Sequence, residues 1–428
     1  MPEINVSAGQ KITHMLIVLL SCAFISFYQG GIWLLIPPLN GTIAFGISLL
    51  LVFFILTSQK SRNFLCYDMK AYGIATFMLL SLAYMFYSHE SFTKSGFLVS
   101  FYCFVMMCIG AYMHDKEKER KIILLYILAE VILKEICDIY ELAKNPMIIR
   151  DSGFDVLSVN GTGIEKLVNI PSIYTFAVIY FIVLCNFKRS KHKILSVAYM
   201  ALTLYVLYLA QMSLPLLLTI IITLYIIIVK TVDIKKILLF SVIFCLFFMV
   251  LLPTGLNWIL KNSFFPIEVT KRLQDVYDIF FRDASFADII NEYGSGGVEK
   301  NYTSTQGRLT HYIQSIRAMG HNFFLGELTP NKFKNGGHST WIDYIAKFGF
   351  TIFVYYYSLI IHSANQFKEN DYEGKKVLIA VSIFYLISGL INSFQIVLFT
   401  MHMFIIVPYF YELLIDNNFI IKRRPLIK

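Results

Sequence analysis

Two segments of this sequence carry side chains suited to acting on a phosphate ester and a hydroxyl group. Arg308 opens G-R-L-T-H-Y-I-Q-S-I-R, and a guanidinium stays charged and can hold phosphate oxygens through two parallel hydrogen bonds. His338 lies in G-G-H-S-T-W-I-D-Y-I-A-K-F-G, and an imidazole can take a proton from a hydroxyl near neutral pH. His338 and Arg308 are therefore the candidate catalytic residues, which could act on a diphosphate-bearing substrate and a hydroxyl group.

Other basic residues could help to bind the diphosphate or a sugar. Arg317 follows Arg308 by nine residues, which places it about half a turn out of phase on a helix. We therefore favour Arg308, which shares a helical face with His311 and Tyr312. The predicted substrate-binding residues are Arg150, Arg272, Arg317 and His321.

Each of these residues also has a plainer interpretation. An external arginine such as Arg308 can bind phospholipid headgroups or be solvated at the surface, and Arg150 can be a solvated loop charge. His338 can cap a helix or lie at the membrane interface. The residues alone leave these alternatives open.

Glu130, Lys134 and Glu135 lie inside an apolar segment, where ionisable side chains are costly and often functional. Glu130 and Lys134 are four residues apart and can neutralise one another on one helix face. Two interpretations follow. The residues form a structural charge pair, or they belong to a polar substrate cavity.

The composition is that of a membrane protein. The 428 residues are 57% hydrophobic and 15% charged, with a mean hydropathy of +0.63, whereas soluble proteins carry about 25% charged residues. The net charge of +9 is spread over short loops between apolar runs, which indicates membrane orientation rather than nucleic-acid binding. None of the seven cysteines forms a C-x-x-C pair, so we predict neither a disulfide framework nor a zinc site.

The apolar runs predict an all-α integral membrane protein without a cleavable signal peptide. Lysine and arginine cluster in alternate short loops, and such loops face the cytoplasm, so both termini are predicted to be cytoplasmic. A spanning helix needs about 20 apolar residues. About twelve transmembrane helices are predicted, at 12–28, 40–57, 71–88, 95–113, 121–138, 170–187, 194–210, 214–229, 237–253, 349–363, 377–394 and 397–414.

Three regions follow from this arrangement. Residues 1–252 form an N-terminal membrane region of nine spans with an outer loop at 139–169, residues 253–348 form a large outer loop, and residues 349–428 form a C-terminal membrane region with a cytoplasmic tail. Helical spacing at 267–292 and 308–319 predicts that the large loop is partly helical. Residues 339–348 are amphipathic and could lie on the membrane surface.

The layout resembles the bacterial O-antigen polymerase and ligase superfamily. The resemblance is carried by G-R-x(3)-Y around Arg308, by N-F-F-L-G-E at 322–327 and by the glycine-flanked segment 336–349 that contains His338. Arg150 and Gly161 also resemble an R-x(10)-G pattern of the polymerases. The turn Q-M-S-L-P at 211–215 lacks the arginine that ligases carry, so Arg150 or Arg272 would have to replace it, which favours a polymerase.

This resemblance implies a membrane glycosyltransferase of the GT-C kind in the bacterial inner membrane, with its large loop in the periplasm. The implied reaction moves a glycan from an undecaprenyl-diphosphate-linked oligosaccharide to a sugar hydroxyl of another lipid-linked repeat unit, without a cofactor or a metal. Membrane lipid is an expected partner, and a protein that regulates chain length would fit. The alternatives are an O-antigen ligase acting on the lipid A core and a polysaccharide flippase or transporter.

Overall fold

Regular structure in this protein is helical. The computed structural model describes residues 8–31, 41–57, 79, 97–146, 148–149, 168–228, 257–258, 260–262, 270, 311–312, 314–316, 318–320, 323–324, 326, 339–365, 367, 371–392 and 394–413. Every element within these ranges is a helix. The prediction of an all-α protein is therefore confirmed for this part of the chain.

The principal helices are rich in leucine, isoleucine, valine and phenylalanine, and a helix satisfies its own backbone hydrogen bonds, as an apolar environment requires. We number them in chain order. They are α1 (Ala8–Tyr28), α2 (Gly41–Leu56), α3 (Phe97–Asp115), α4 (Glu117–Lys144), α5 (Ile170–Cys185), α6 (Lys193–Leu209), α7 (Ser213–Ile228), α8 (Thr340–Phe348), α9 (Thr351–Asn365), α10 (Tyr372–Ile391) and α11 (Ile396–Met401).

Several helices have the length and composition of membrane spans. Within the described residues, three helical segments are long and apolar enough to cross a membrane: Gln10–Tyr28, Phe97–His114 and Tyr372–Ile391. Shorter apolar helices occupy other predicted spans, while the predicted spans 71–88 (apart from Leu79) and 237–253 lie outside the described residues. The protein is therefore an α-helical membrane protein, and the number of twelve spans stays a prediction.

The chain forms two compact units. Unit 1 comprises Met1–Ile220, Thr351–Tyr385 and Phe394–Lys428, and unit 2 comprises Ile221–Phe350 and Leu386–Ser393. Each unit combines segments that are distant in the chain, and the three regions expected from hydropathy stay a prediction.

Unit 1 is built around α3, α5 and α11. Helix α11 continues without a break into a π-helical stretch, His402–Ile406, and then into short helical turns up to Leu413. Two hydrogen bonds tie α11 and its extension to α3: Thr400 Oγ1 donates to Cys103 Sγ at 3.4 Å, and Tyr409 Oη donates to the Gly110 carbonyl at 3.2 Å. These contacts place the last predicted span in the interior of unit 1.

Candidate functional site

The predicted catalytic residues His338 and Arg308 lie outside the described residues. The predicted substrate-binding residues also lie outside them: Arg150, Arg272, Arg317 and His321. Their roles stay predictions. Residues close to His338 and Arg308 in the chain are described, and they place the surroundings of both motifs in unit 2.

Asp343 joins the two motifs within unit 2. Its Oδ1 accepts a hydrogen bond from Ser315 Oγ, and its Oδ2 accepts one of 2.9 Å from the backbone N–H of Ser339. Ser315 lies seven residues after Arg308, and Ser339 directly follows His338. One carboxylate therefore connects the helical segment that follows Arg308 with the residue that follows His338.

The start of α8 is held at several points. Ser339 is the N-cap residue: its Oγ accepts a 3.4 Å hydrogen bond from the Ile342 N–H and donates one of 3.0 Å to the Gly389 carbonyl. The backbone N–H of Thr340 donates to the Asn392 carbonyl at 3.3 Å. An N-cap side chain satisfies one of the otherwise free N–H groups of a helix. The backbone that directly follows His338 is therefore fixed against the end of α10.

The described residues of the third motif segment, Phe323, Phe324 and Gly326, meet the end of α8 through a close contact that involves two glycines. Gly326 and Gly349 have φ angles of +62° and +70°, a region that glycine enters without a steric penalty. A Cβ on Gly326 would overlap the Lys347 carbonyl, and a Cβ on Gly349 would overlap the Phe324 carbonyl. The two backbones approach so closely that neither position has room for a side chain.

Unit 2 thus brings together residues from all three sequence segments that carry the family resemblance. Ser315, Asp343 and the two-glycine contact were not predicted from the sequence. Ser339 was a usable signal for the helix start, because serine is a preferred N-cap residue, whereas Asp343 lies four residues later and so lacks the three-residue spacing of a capping box. The apolar side of α8, including Trp341, Ile345 and Phe348, is buried in the protein. Packing against protein therefore accounts for the amphipathic pattern of α8, and its position at the membrane surface stays a prediction.

A second group of polar side chains is buried in unit 1, where the C-terminal end of α1, the second half of α4 and the N-terminal end of α5 meet. We call it the polar junction. Its residues are Ser26, Gln29, Gly30, Glu130, Lys134, Asp138, Asn169 and Ser172.

The ammonium group of Lys134 caps the end of α1. Its Nζ donates to the carbonyls of Gln29 at 2.8 Å and Gly30 at 2.5 Å. Carbonyl groups at a helix C-terminus lack intrahelical partners and attract cations. Glu130 accepts hydrogen bonds from Ser26 Oγ and, at 2.6 Å, from Gln29 Nε2. Both members of the expected charge pair are therefore also bonded to α1 and the residues that follow it.

Asn169 and Asp138 interact with the N-terminal end of α5. Asn169 Oδ1 accepts from the Ser172 N–H at 3.2 Å, and its Nδ2 donates to the Gly30 carbonyl at 2.9 Å. Ser172 Oγ lies 3.4 Å from Asp138 Oδ2. A carboxylate is favourable near a helix N-terminus. Of the two interpretations of the charges on α4, this arrangement supports the structural one, because Lys134 is 1% exposed and bonded to backbone.

Helix α4 buries charged side chains in its second half and exposes apolar ones, the opposite of the pattern of a helix at the surface of a water-soluble protein. Its charged residues Glu130, Lys134, Glu135 and Asp138 are buried. Its exposed side carries apolar side chains: Ile122, Leu125, Ile132, Leu133 and Ile136. An apolar outer face around a polar inner face is typical of a helix that is surrounded by lipid. This pattern agrees with the predicted span 121–138, although the charges lower the mean hydropathy of α4.

His402 is a buried residue that was not singled out from the sequence. Its Nε2 lies 3.2 Å from Thr175 Oγ1 and its Nδ1 lies 2.5 Å from Tyr385 Oη. It begins the π-helical stretch that continues α11, and such stretches are frequent at functional sites. Here the imidazole links three helices of unit 1, because Thr175 belongs to α5 and Tyr385 to α10.

Comparison with known proteins leaves the family open. No protein-family model matches the sequence, and no curated protein matches it. The function therefore has to be inferred from the residues and their contacts.

Proposed function

We propose that the chain is a membrane glycosyltransferase that polymerises lipid-linked oligosaccharides. The donor is a glycan on undecaprenyl diphosphate, and the acceptor is a sugar hydroxyl of another lipid-linked repeat unit. The observation that carries the proposal is the double hydrogen bond of Asp343, which links the segment after Arg308 to the residue after His338. Two motifs that would have to cooperate are thus tied to one carboxylate.

In the proposed mechanism, Arg308 binds the diphosphate and His338 accepts the proton of the attacking hydroxyl. The bond between the anomeric carbon and the phosphate oxygen breaks as the new glycosidic bond forms, and undecaprenyl diphosphate leaves. Negative charge on the leaving diphosphate grows in the transition state, so a fixed guanidinium stabilises the transition state more than the bound donor. The activated donor supplies the free energy, so the reaction requires no nucleotide.

The predicted orientation fits contacts within unit 1. The ends of α1, α4 and α5 that meet at the polar junction are all predicted to lie on the outer side. At the opposite side, Arg189 of the loop before α6 forms a 3.2 Å ion pair with Asp371, which precedes α10. Both of these loops are predicted to be cytoplasmic. Helix ends assigned to one side by their charges are therefore in contact.

The proposal is tested with purified protein and a defined lipid-linked repeat unit. His338→Ala and Arg308→Ala should each abolish chain extension while the protein still inserts and accumulates, and Arg317→Ala, the matched control, should impair it less. Normal polymer from either of the first two variants would remove that residue from the mechanism.

Deletion of the gene in its host separates the polymerase from the ligase. Loss of a polymerase should leave lipopolysaccharide whose core carries at most one repeat unit. A core that carries no O-antigen at all would instead identify a ligase, and movement of the lipid-linked unit without new glycosidic bonds would identify a flippase.

A further inference from the structure

Helix α4 buries more negative than positive charge. The carboxylates of Glu130, Glu135 and Asp138 and the ammonium of Lys134 are all at most 1% exposed. Lys134 can balance one carboxylate, and Glu130 has two donors from α1 and the residue that follows it. Lys134 interacts electrostatically with both Asp138 and Glu130, so this group of buried side chains holds three carboxylates against one ammonium. Among the described residues around the group there is no second cation. A buried ion without compensation costs several kcal/mol.

Each of these two carboxylates has one oxygen without a hydrogen-bond partner among the described residues. Asp138 Oδ2 faces Ser172 Oγ of α5, but Asp138 Oδ1 has no partner. Glu135 Oε1 accepts a 2.6 Å hydrogen bond from Thr203 Oγ1 of α6, but Glu135 Oε2 has no partner. Both residues are fully buried. Buried polar atoms are nearly always paired with protein, water or an ion, so these two oxygens point to a missing ligand.

Glu135 and Asp138 are three residues apart on α4, a spacing that makes their side chains neighbours on the helix surface. Two ionised carboxylates this close repel each other, and the usual remedy is a shared positive charge. The ligand that the two free oxygens require is therefore small and cationic.

We infer that Glu135 and Asp138 form a monovalent-cation site between α4, α5 and α6, which takes up a proton or a sodium ion. The bound cation removes the repulsion between the two carboxylates. It also holds together the hydrogen bonds that they make to Ser172 of α5 and Thr203 of α6. Uptake of the cation thus ties the second half of α4 to its neighbours.

The described groups around this pair come from α5, α6, α1 and α4 itself. Helix α5 contributes the Ser172 hydroxyl, and α6 contributes Thr203 and the Tyr199 hydroxyl beside Glu135. Among the described residues, the other titratable or charged groups that face the pair or its neighbours are Cys22 on α1 and Glu130, Lys134, Cys137 and Glu141 on α4. Lys134 is the one ammonium group in this set, and it is bonded to the carbonyls at the end of α1.

The test uses the full chain in lipid nanodiscs and two measurements. Infrared spectroscopy detects the C=O stretch of a protonated carboxylic acid, and thermal unfolding is recorded in sodium and in choline at equal ionic strength. A carboxylic-acid band at neutral pH identifies the proton. If sodium is the ligand, a sodium concentration roughly 100-fold above its Kd should raise Tm by about 3 °C or more relative to choline. Such a rise identifies the metal ion.

Substitutions show whether the infrared band or the sodium-dependent Tm arises from Glu135 and Asp138. Asp138→Asn and Glu135→Gln keep the size and hydrogen-bonding capacity of the side chains, and each should abolish the signal. Glu117→Gln, an exposed carboxylate in the first turn of the same helix, should leave it unchanged. If the wild-type protein has neither a carboxylic-acid band nor a sodium-dependent Tm, the inference is wrong, whether or not the variants fold. It is equally wrong if both substitutions leave the signal intact.

Discussion

Replacing Gly349 by alanine should damage the end of α8 far more than an ordinary glycine substitution. Gly349 has φ +70° and ψ −163°, a combination that is essentially restricted to glycine. A Cβ at this position would overlap the carbonyl oxygen of Phe324 and lie 3.0 Å from the backbone nitrogen of Gly326. Both of these are backbone atoms, so no side-chain rotation can relieve the overlap.

The expected loss has two parts. Holding a residue other than glycine in this conformation costs about 1–3 kcal/mol. Displacing the backbone atoms of Phe324 and Gly326 adds to this cost, so we expect the free energy of unfolding to fall by more than about 2 kcal/mol, which is about a 30-fold change in the equilibrium constant. Because this contact packs Phe324 and Gly326 of the third motif segment against the end of α8, chain extension should also decline.

Gly320→Ala is the matched control. Gly320 belongs to unit 2 and is helical, and a Cβ added there would meet none of the described residues around it within 4 Å. Alanine should therefore be neutral or stabilise the protein by up to about 1 kcal/mol. Both variants are compared with the wild type by denaturant unfolding in nanodiscs and by the extension assay. Equal stability of Gly349→Ala and Gly320→Ala would refute the close backbone contact.

Two further predictions concern the buried polar contacts. In a double-mutant cycle, Ser315→Ala and Asp343→Ala should show a coupling energy of about 1–3 kcal/mol in unfolding experiments, and additive effects would contradict the shared carboxylate of unit 2. Lys134→Met should lower the free energy of unfolding by about 3–5 kcal/mol, because it leaves Glu130 and the end of α1 without their cation. Its control, Lys144→Met, replaces an exposed lysine of the same helix, and equal Tm values for the two variants would rule out the capping role of Lys134.

The helices themselves were largely predictable. Ten of the twelve predicted spans coincide with helices of the described residues, because an apolar run of sufficient length leaves the backbone few alternatives in lipid. The start of α8 was also predictable from the sequence, since the predicted segment 339–348 differs from the observed helix Thr340–Phe348 by one residue. The π-helical stretch that begins at His402 within the last span carried no comparable signal in the sequence.

The partners of the polar residues were not predictable. The spacing of Glu130 and Lys134 suggested a mutual ion pair, but the hydrogen bonds of Lys134 go to carbonyls more than 100 residues earlier in the chain. Likewise, nothing local in the sequence connects Ser315 with Asp343, or Gly349 with Phe324.

The sequence by itself determined the helical membrane class, the apolar segments and the residues able to do chemistry, because these follow from local composition and period. Only the tertiary structure decided which helix ends meet at the polar junction and which motif segments are linked by hydrogen bonds to Asp343. It also decided which buried carboxylates have an oxygen without a hydrogen-bond partner among the described residues. Those choices depend on contacts between distant parts of the chain, where a buried charge or a backbone carbonyl is satisfied by whatever group the packing brings within hydrogen-bonding distance.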